Sequence, residues 1–314
     1  MILALLLVGS GTLALTGQGQ PLIPSVRAAI ATHDFAAGER LVAAYRATRG
    51  VTPEMLEALS WLGRGALAGK QLEKADEYAR QTYELATAMV KHRGVDVEPH
   101  LPIALGAAIE VRAQVSAQAG ARSEAVAFLH RELASYRATS ISKRIQKNIN
   151  LLSLEGTPAP ALDLSEALGA TPISVASLKG KVVLLFFWAH WCSDCKLQGP
   201  VLQQLARTYG SQGLTILAPT ERYGYVAGGR LATPQDEKRH IAQVRSAQYA
   251  FLSENAVPLS HANHQRYGVS TTPTLVLIDR QGSVRLYHPG RMSESALESA
   301  VQRLLTQPAA SSRQ

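Results

Sequence analysis

The chain has 314 residues, 46% of them apolar and 18% charged, which is enough for about two globular domains with separate cores. Its formal net charge of +8 raises the question of nucleic acid, yet no run of lysine and arginine alternates with aromatic residues. We therefore expect no nucleic-acid partner.

The first 20 residues, 1–20, are typical of a signal peptide. The apolar run 1–15 is followed by the small and polar residues 16–21, which resemble a cleavage zone. Because this run is shorter than the roughly 20 residues that cross a bilayer, we expect no membrane-spanning helix in the mature protein. The only two cysteines form one closely spaced pair, which suits an oxidising compartment. The sequence thus predicts an extracytoplasmic protein, periplasmic or secreted, with tethering through an uncleaved N-terminus as the alternative.

Residues 21–154 have helical periodicity throughout and predict an all-α domain. Glycines mark several helix ends, and Thr52 followed by Pro53 marks a helix start. The predicted helices lie near residues 24–31, 35–48, 53–68, 71–90, 101–119, 122–137 and 140–152.

Parts of this helical domain are similar to one another. The stretch 69–75 with Tyr78 is similar to the stretch 120–125 with Phe128, and the sequence around Trp61 resembles a tetratricopeptide repeat. The spacing is uneven, so an irregular helical bundle is the alternative to a tetratricopeptide-like array. An array would offer a concave face for a protein partner.

The short segment 155–160 contains two prolines and one glycine and is predicted as a linker to a second domain at 161–306, before a disordered tail at 307–314. In the second domain, buried strands alternate with helices, which predicts an α/β sheet with crossover connections. The predicted strands lie at 161–164, 173–175, 182–188, 214–218, 274–278 and 284–287. The predicted helices lie at 196–209, 234–247 and 294–305.

The chemistry of the chain is expected at its two cysteines, Cys192 and Cys195, which follow a buried strand and precede a helix. In the first turn of a helix, free backbone N–H groups and the helix dipole favour the thiolate of Cys192. The thiolate is the attacking species in disulfide exchange. Cys192 is therefore the predicted nucleophile and Cys195 the predicted resolving thiol.

Two other uses of the pair remain open. A structural zinc site would need two well-placed histidines in addition to Cys192 and Cys195. A purely structural disulfide would close a loop that is too short to add much stability. Redox exchange is favoured over both, with no metal and no cofactor, because the dithiol itself carries the electrons.

Four motifs, in this order, resemble one family. They are 178–183 before the buried strand, 187–195 around the cysteines, Pro200 in the next helix, and 267–274 near the end. Residues from about 157 to 306 resemble the thioredoxin-fold TlpA/ResA-like extracytoplasmic thiol-disulfide oxidoreductases, which are related to the AhpC/TSA group. The resemblance implies an α/β thioredoxin-like domain, a central mixed sheet flanked by helices, after the all-α helical-repeat or bundle domain.

The resemblance also implies a substrate-binding surface. Thr272 and Pro273 would form a cis peptide packed against the cysteines, and the backbone of Thr272 would pair with an incoming peptide. Trp191 would be a flat platform beside the reactive sulfur, with Trp188 in the core. The implied partners are a protein disulfide substrate and a protein electron donor.

Two positions depart from the family pattern, because Phe186 and Gln198 stand where acids are expected. We therefore expect either Glu221, just past a central strand, or an ordered water to move the proton of Cys195. Two further residues are expected to tune the couple in opposite directions, Asp194 by its negative charge and His190 by a positive charge when protonated.

Several functions are compatible with these features. We predict a reductant of disulfides in exported proteins, because the motif has no second histidine and no proline between the cysteines. The alternatives are a disulfide-introducing oxidant and an adaptor whose helical array docks a partner. A peroxidase is disfavoured because Ala189 stands where a threonine is expected. The insertion 220–230 is either a rim over the site or a loop without a role.

Overall fold

The computed structural model describes residues 21–252 and 255–307. The predicted signal-peptide segment 1–20 and nearly all of the predicted tail lie outside the described residues. No helix within the described ranges is both long and apolar enough to cross a membrane.

The N-terminal part is all-helical, as predicted, and most helix bounds agree with the sequence expectation within one or two residues. Thr52 caps one helix through its Oγ1, which accepts a hydrogen bond from the Met55 N–H at 3.2 Å. The first helix packs against the third, the third against the fifth, and the fifth against the seventh. The helices are α1 (Leu22–Ala31), α2 (Phe35–Arg49), α3 (Pro53–Ala68), α4 (Leu72–Arg93), α5 (His100–Gln118), α6 (Arg122–Ser135) and α7 (Ser142–Ser153).

The C-terminal part is a mixed four-stranded sheet with helices on both faces. The strand order is β3-β2-β5-β6, in which β2 and β3 are parallel and the other pairs are antiparallel. A separate two-stranded ribbon joins β1 to β4. The elements are β1 (Ala167–Leu168), β2 (Val182–Phe187), α8 (Ser193–Tyr209), β3 (Leu214–Leu217), α9 (Pro234–Gln248), β4 (Val257–Pro258), α10 (His261–Arg266), β5 (Thr274–Ile278), β6 (Val284–Pro289) and α11 (Glu294–Thr306).

All six residues of β2 are buried because both faces of the sheet are covered. Leu184 and Phe186 belong to a core that includes apolar residues of α8 and α11, whereas Leu185 and Phe187 belong to a core with Tyr267. This double burial explains why the strand is a continuous apolar run in the sequence.

Two of the predicted strands, 161–164 and 173–175, are wrong. The first is irregular, and the second leads into a 3₁₀ turn at Val175–Leu178, where the Ser174 Oγ accepts from the Ser177 N–H at 3.1 Å. That capping bond gives the backbone an alternative to strand pairing. The short elements β1, β4 and α10 were not predicted. A segment of two to six residues is too short to show the periodicity of apolar residues that is typical of a helix or of a strand.

The predicted linker is held on the edge of the sheet. The Gly156 N–H donates to the Val284 carbonyl at 2.8 Å, and the Val284 N–H donates to the Thr157 carbonyl at 2.9 Å. Helix α7, just before this segment, packs against α10 and β6. The helical and α/β parts are therefore in direct contact on the side of the sheet away from α8 and α11.

Candidate active site

The cysteines lie at the connection between β2 and α8, with Cys192 just before α8 and Cys195 in its first turn. Cys192 is the residue that caps α8, and its Sγ accepts a hydrogen bond from the Cys195 N–H at 3.0 Å. The two residues form a disulfide, with their Cα atoms 5.3 Å apart. The sulfur of Cys192 thus faces the free N–H groups of a helix start, an environment that favours a thiolate.

The two sulfurs differ in access. Cys192 is 3% exposed, whereas Cys195 is fully buried one turn further into α8. Cys192 is therefore the more accessible of the two residues.

A cis peptide bond lies directly beside this pair. Thr272–Pro273 is cis, as the family resemblance implied, and the Cys192 Sγ lies 3.4 Å from the Thr272 carbonyl oxygen. The backbone N–H of Thr272 has no acceptor among the residues that the structure describes. A strand-like peptide lying along this segment would find a free donor next to the reactive sulfur.

Two tryptophans near the motif have different environments. Trp191 is 48% exposed, and its ring centroid lies 5.4 Å from that of Tyr223 in an edge-to-face contact. Trp188 is fully buried, and its Nε1–H donates to the Ala218 carbonyl at 2.9 Å. Trp191 thus presents an aromatic surface beside Cys192, whereas Trp188 belongs to the core.

His190 is buried rather than exposed to water. Its ring contacts those of Tyr223, Tyr225 and His240, and its Nε2 lies 3.3 Å from a carboxylate oxygen of Glu237. Burial, and then the neighbouring His240, lower the pKa of His190 below its usual value. The expected positive charge on His190 is therefore suppressed near neutral pH, because the surrounding rings replace the water that would stabilise it.

Asp194 lies in the first turn of α8 with its side chain 61% exposed. Its Oδ1 is 3.8 Å from the Nε of Arg291, whose side chain is 47% exposed. Solvent screens an exposed pair of this kind. Asp194 is thus a negative charge at the rim of the site, partly balanced by Arg291.

Glu221 follows β3, as expected, but it is buried and already paired. Its Oε1 lies 2.5 Å from the Lys143 Nζ of α7, and its Oε2 lies 2.6 Å from the His261 Nδ1 of α10. Lys143 was missed because it lies in the helical part, almost 50 residues before the cysteines, where no sequence pattern links it to them.

The two positions without the expected acid are both buried. Phe186 lies in the core, and the Gln198 Oε1 accepts from the Met292 N–H at 2.9 Å. Neither side chain can donate or accept a proton in catalysis.

The start of the insertion 220–230 is anchored over the site. The Glu237 carboxylate accepts from the N–H groups of Tyr223 and Gly224, at 2.5 and 2.9 Å. Between the insertion and α9 lies a cavity of about 320 Å³, lined in part by Leu231, which is 86% exposed.

The described residues contain no group of three His, Cys, Asp or Glu side chains that would hold a metal ion.

Comparison with known proteins agrees with this geometry. Residues 156–287 match the model of the AhpC/TSA family. The thioredoxin-like protein YneN of Bacillus subtilis is 28% identical over 147 residues, which are 46% of this chain and 76% of that protein. The thiol-disulfide oxidoreductase ResA of the same organism is 29% identical over 143 residues, 46% of this chain and 72% of that protein.

Among solved structures, an exposed lipoprotein thioredoxin of Streptococcus pneumoniae is 25% identical, covers 42% of this chain and 91% of its own, and has a TM-score of 0.34. The part of the chain that carries Cys192 and Cys195 matches the AhpC/TSA family model and is a thioredoxin-like thiol-disulfide oxidoreductase domain, similar to YneN and ResA.

Proposed function

We propose that the protein reduces disulfide bonds in exported proteins, with Cys192 as the nucleophile and Cys195 as the resolving thiol. The observation that carries the exchange chemistry and the roles of the two cysteines is the hydrogen bond from the Cys195 N–H to the Cys192 Sγ at the start of α8. It stabilises negative charge on the sulfur that is less buried.

The proposed reaction has two exchange steps. The Cys192 thiolate attacks one sulfur of the substrate disulfide, so that a mixed disulfide forms and one substrate thiolate leaves. The Cys195 thiolate then attacks Cys192, which releases the second substrate thiolate and leaves the Cys192–Cys195 disulfide. Each released thiolate takes up a proton, and a protein dithiol donor returns the two electrons. Trp191 and the Thr272–Pro273 segment would bind the substrate backbone on either side of Cys192.

The direction of electron flow follows from how well the reduced form is stabilised. A couple whose thiolate is strongly stabilised is a strong oxidant. Here His190 is buried and neutral and therefore adds no positive charge to the site, whereas Asp194 adds a negative charge. The negative charge of Asp194 disfavours the thiolate and the neutral His190 does not stabilise it, which favours a reductant.

The first test is the reduction potential of the Cys192–Cys195 couple against glutathione, read by acid-quenched thiol trapping. We expect a value near or below about −270 mV, the potential of thioredoxin. The same trapping on fractionated cells should find the protein outside the cytoplasm and mainly as the dithiol. A potential nearer to about −120 mV would instead make it a disulfide-introducing oxidant.

We further propose that 21–154 and 161–306 act as two domains, and that the helical one docks a protein partner. One surface favours this second function, and we call it the arginine face. In it, two guanidinium groups lie over the Trp61 ring, with the Arg27 Cζ at 4.5 Å and the Arg64 Cζ at 4.0 Å from the ring centroid. The serial packing of α1, α3, α5 and α7 is compatible with a tetratricopeptide-like array and supports this proposal.

The arginine face carries excess positive charge. Arg64 is half-buried, and burial, followed by the like charge of Arg144, lowers its pKa. Nearby, Arg144 and Lys147 share one carboxylate, Glu110, whose Oε2 lies 2.8 and 2.9 Å from their nitrogens. Neither Arg27 nor Arg64 has an ion-pair partner among the described residues. An acidic segment of a partner protein would complement this face.

A labelled peptide of consecutive glutamates tests the arginine face by fluorescence anisotropy. Replacing both Arg27 and Arg64 by glutamine should weaken binding about fivefold or more, because two cations are lost. The control replaces Arg40 and Arg49 of α2 by glutamine and removes the same charge elsewhere. If peptide binding is weakened equally in both variants, the effect comes from the net charge of the protein alone. That result would contradict a binding site on this face.

A further inference from the structure

Helix α7 connects the helical part to the catalytic domain. The Ser142 Oγ donates to the Gln265 Oε1 of α10 at 3.2 Å, and the Lys143 Nζ lies 2.5 Å from the Glu221 Oε1. Further along, Gly268 lies directly against the backbone at Lys147. The contact between the two parts is therefore specific and close.

The ion pair within this contact is well shielded from water. The side chain of Glu221 is 3% exposed and that of Lys143 is 19% exposed, whereas His261, the second partner of Glu221, is 63% exposed. Removing one partner of a buried ion pair leaves the charge of the other partner uncompensated. The Lys143 ammonium comes from the helical part, so this part of the chain supplies a cation beside the buried Glu221 carboxylate.

Glu221 is in turn part of one wall of the active site. Its neighbour Thr220 donates through Oγ1 to the Trp188 carbonyl at 2.7 Å. Two residues later, the Tyr223 ring packs against Trp191, next to Cys192. Burial, and then the nearby charge of Glu221, raise the pKa of Tyr223.

We propose that Lys143 is a positioning residue through which the helical domain controls the reactivity of Cys192. This inference rests on the proposed function, since it concerns the same thiolate. Lys143 neutralises Glu221 and fixes the wall that carries Tyr223. Without Lys143, the Glu221 carboxylate loses its cationic partner from the helical part, and uncompensated negative charge in this wall disfavours the Cys192 thiolate. A partner that shifts α7 would change reactivity at the cysteines by the same route.

The test is the pH profile of Cys192 alkylation by iodoacetamide in the reduced full-length protein. Lys143→Met should raise the apparent pKa of Cys192 by about one unit and slow alkylation below that pKa about tenfold. Glu221→Gln leaves the cation of Lys143 unpaired and should shift the pKa in the opposite direction. Lys143→Arg keeps the charge and should restore the wild-type profile.

Lys147→Met is the matched control, because it removes a lysine–glutamate pair one turn further along α7, within the helical part. A structural loosening of α7 would move both lysine variants alike, and would move Lys143→Met and Glu221→Gln in the same direction. Either result overturns the proposal, as does a Lys143→Met profile that superimposes on the wild type. If Lys143→Met does not fold, the proposal is tested by Glu221→Gln alone. An apparent pKa of Cys192 that is not lowered in that variant overturns the proposal.

The alkylation profile needs no substrate protein, so it separates two failures. A wild-type protein that does not reduce disulfides contradicts the proposed function, whatever its Lys143 variants do. A protein that does reduce them, with unchanged profiles in the variants, contradicts only the role of Lys143.

Discussion

A Cys195→Ser variant should stop after the first exchange step and accumulate as a mixed disulfide with its substrate. The serine keeps the backbone N–H that contacts the Cys192 Sγ, so the attacking thiolate retains its stabilisation. It has no thiol to release the substrate. Non-reducing electrophoresis of the variant with a disulfide-containing protein should show the covalent adduct. Adding a small-molecule thiol should cleave it.

A Cys192→Ser variant should lose turnover altogether, by at least about three orders of magnitude in kcat/KM. The remaining thiol, Cys195, is fully buried and cannot meet a protein disulfide. Ser193→Ala, which changes one of the two exposed residues between the cysteines, is the control and should keep wild-type turnover. Adducts on Cys192→Ser but none on Cys195→Ser would reverse the assigned roles.

Gly268→Ala should produce the largest loss of stability of any single change in the contact between the two parts. Gly268 has a φ of +60°, and a Cβ atom there would lie 2.3 Å from the Lys147 nitrogen and 2.6 Å from the Gln146 carbonyl carbon. Backbone atoms of a packed helix cannot move aside as a flexible side chain can. We expect a loss of about 3 kcal/mol or more, from strain at positive φ and from overpacking.

The matched control is Gly282→Ala, at a φ of +90° in the turn between β5 and β6. No atom lies within 4 Å of a Cβ placed there, so only the backbone strain remains, about 1 to 2 kcal/mol. Urea unfolding followed by circular dichroism measures both variants. Equal losses in the two variants would mean that the α7 backbone moves aside easily for a Cβ atom at position 268. The contact between the two parts would then be loose.

The local features of the site were well predicted from the sequence. Cys192 caps α8 because a buried apolar strand, a tight turn and a helical pattern follow each other without a break. The family motifs also implied the cis peptide at Thr272–Pro273. By contrast, the strand predicted at 173–175 failed because Ser174 caps a 3₁₀ turn, a local hydrogen bond that competes with the short apolar pattern.

The sequence by itself determined the helices, the central strands and the place of the cysteine pair at a helix start, because each depends on neighbours within a few turns of the chain. Only the tertiary structure decided the charges around the reaction. His190 is held neutral by rings from the insertion and α9, and Glu221 is neutralised by Lys143, 78 residues earlier. The protonation state of a group depends on burial and on nearby charges, and folding brings both from distant parts of the chain.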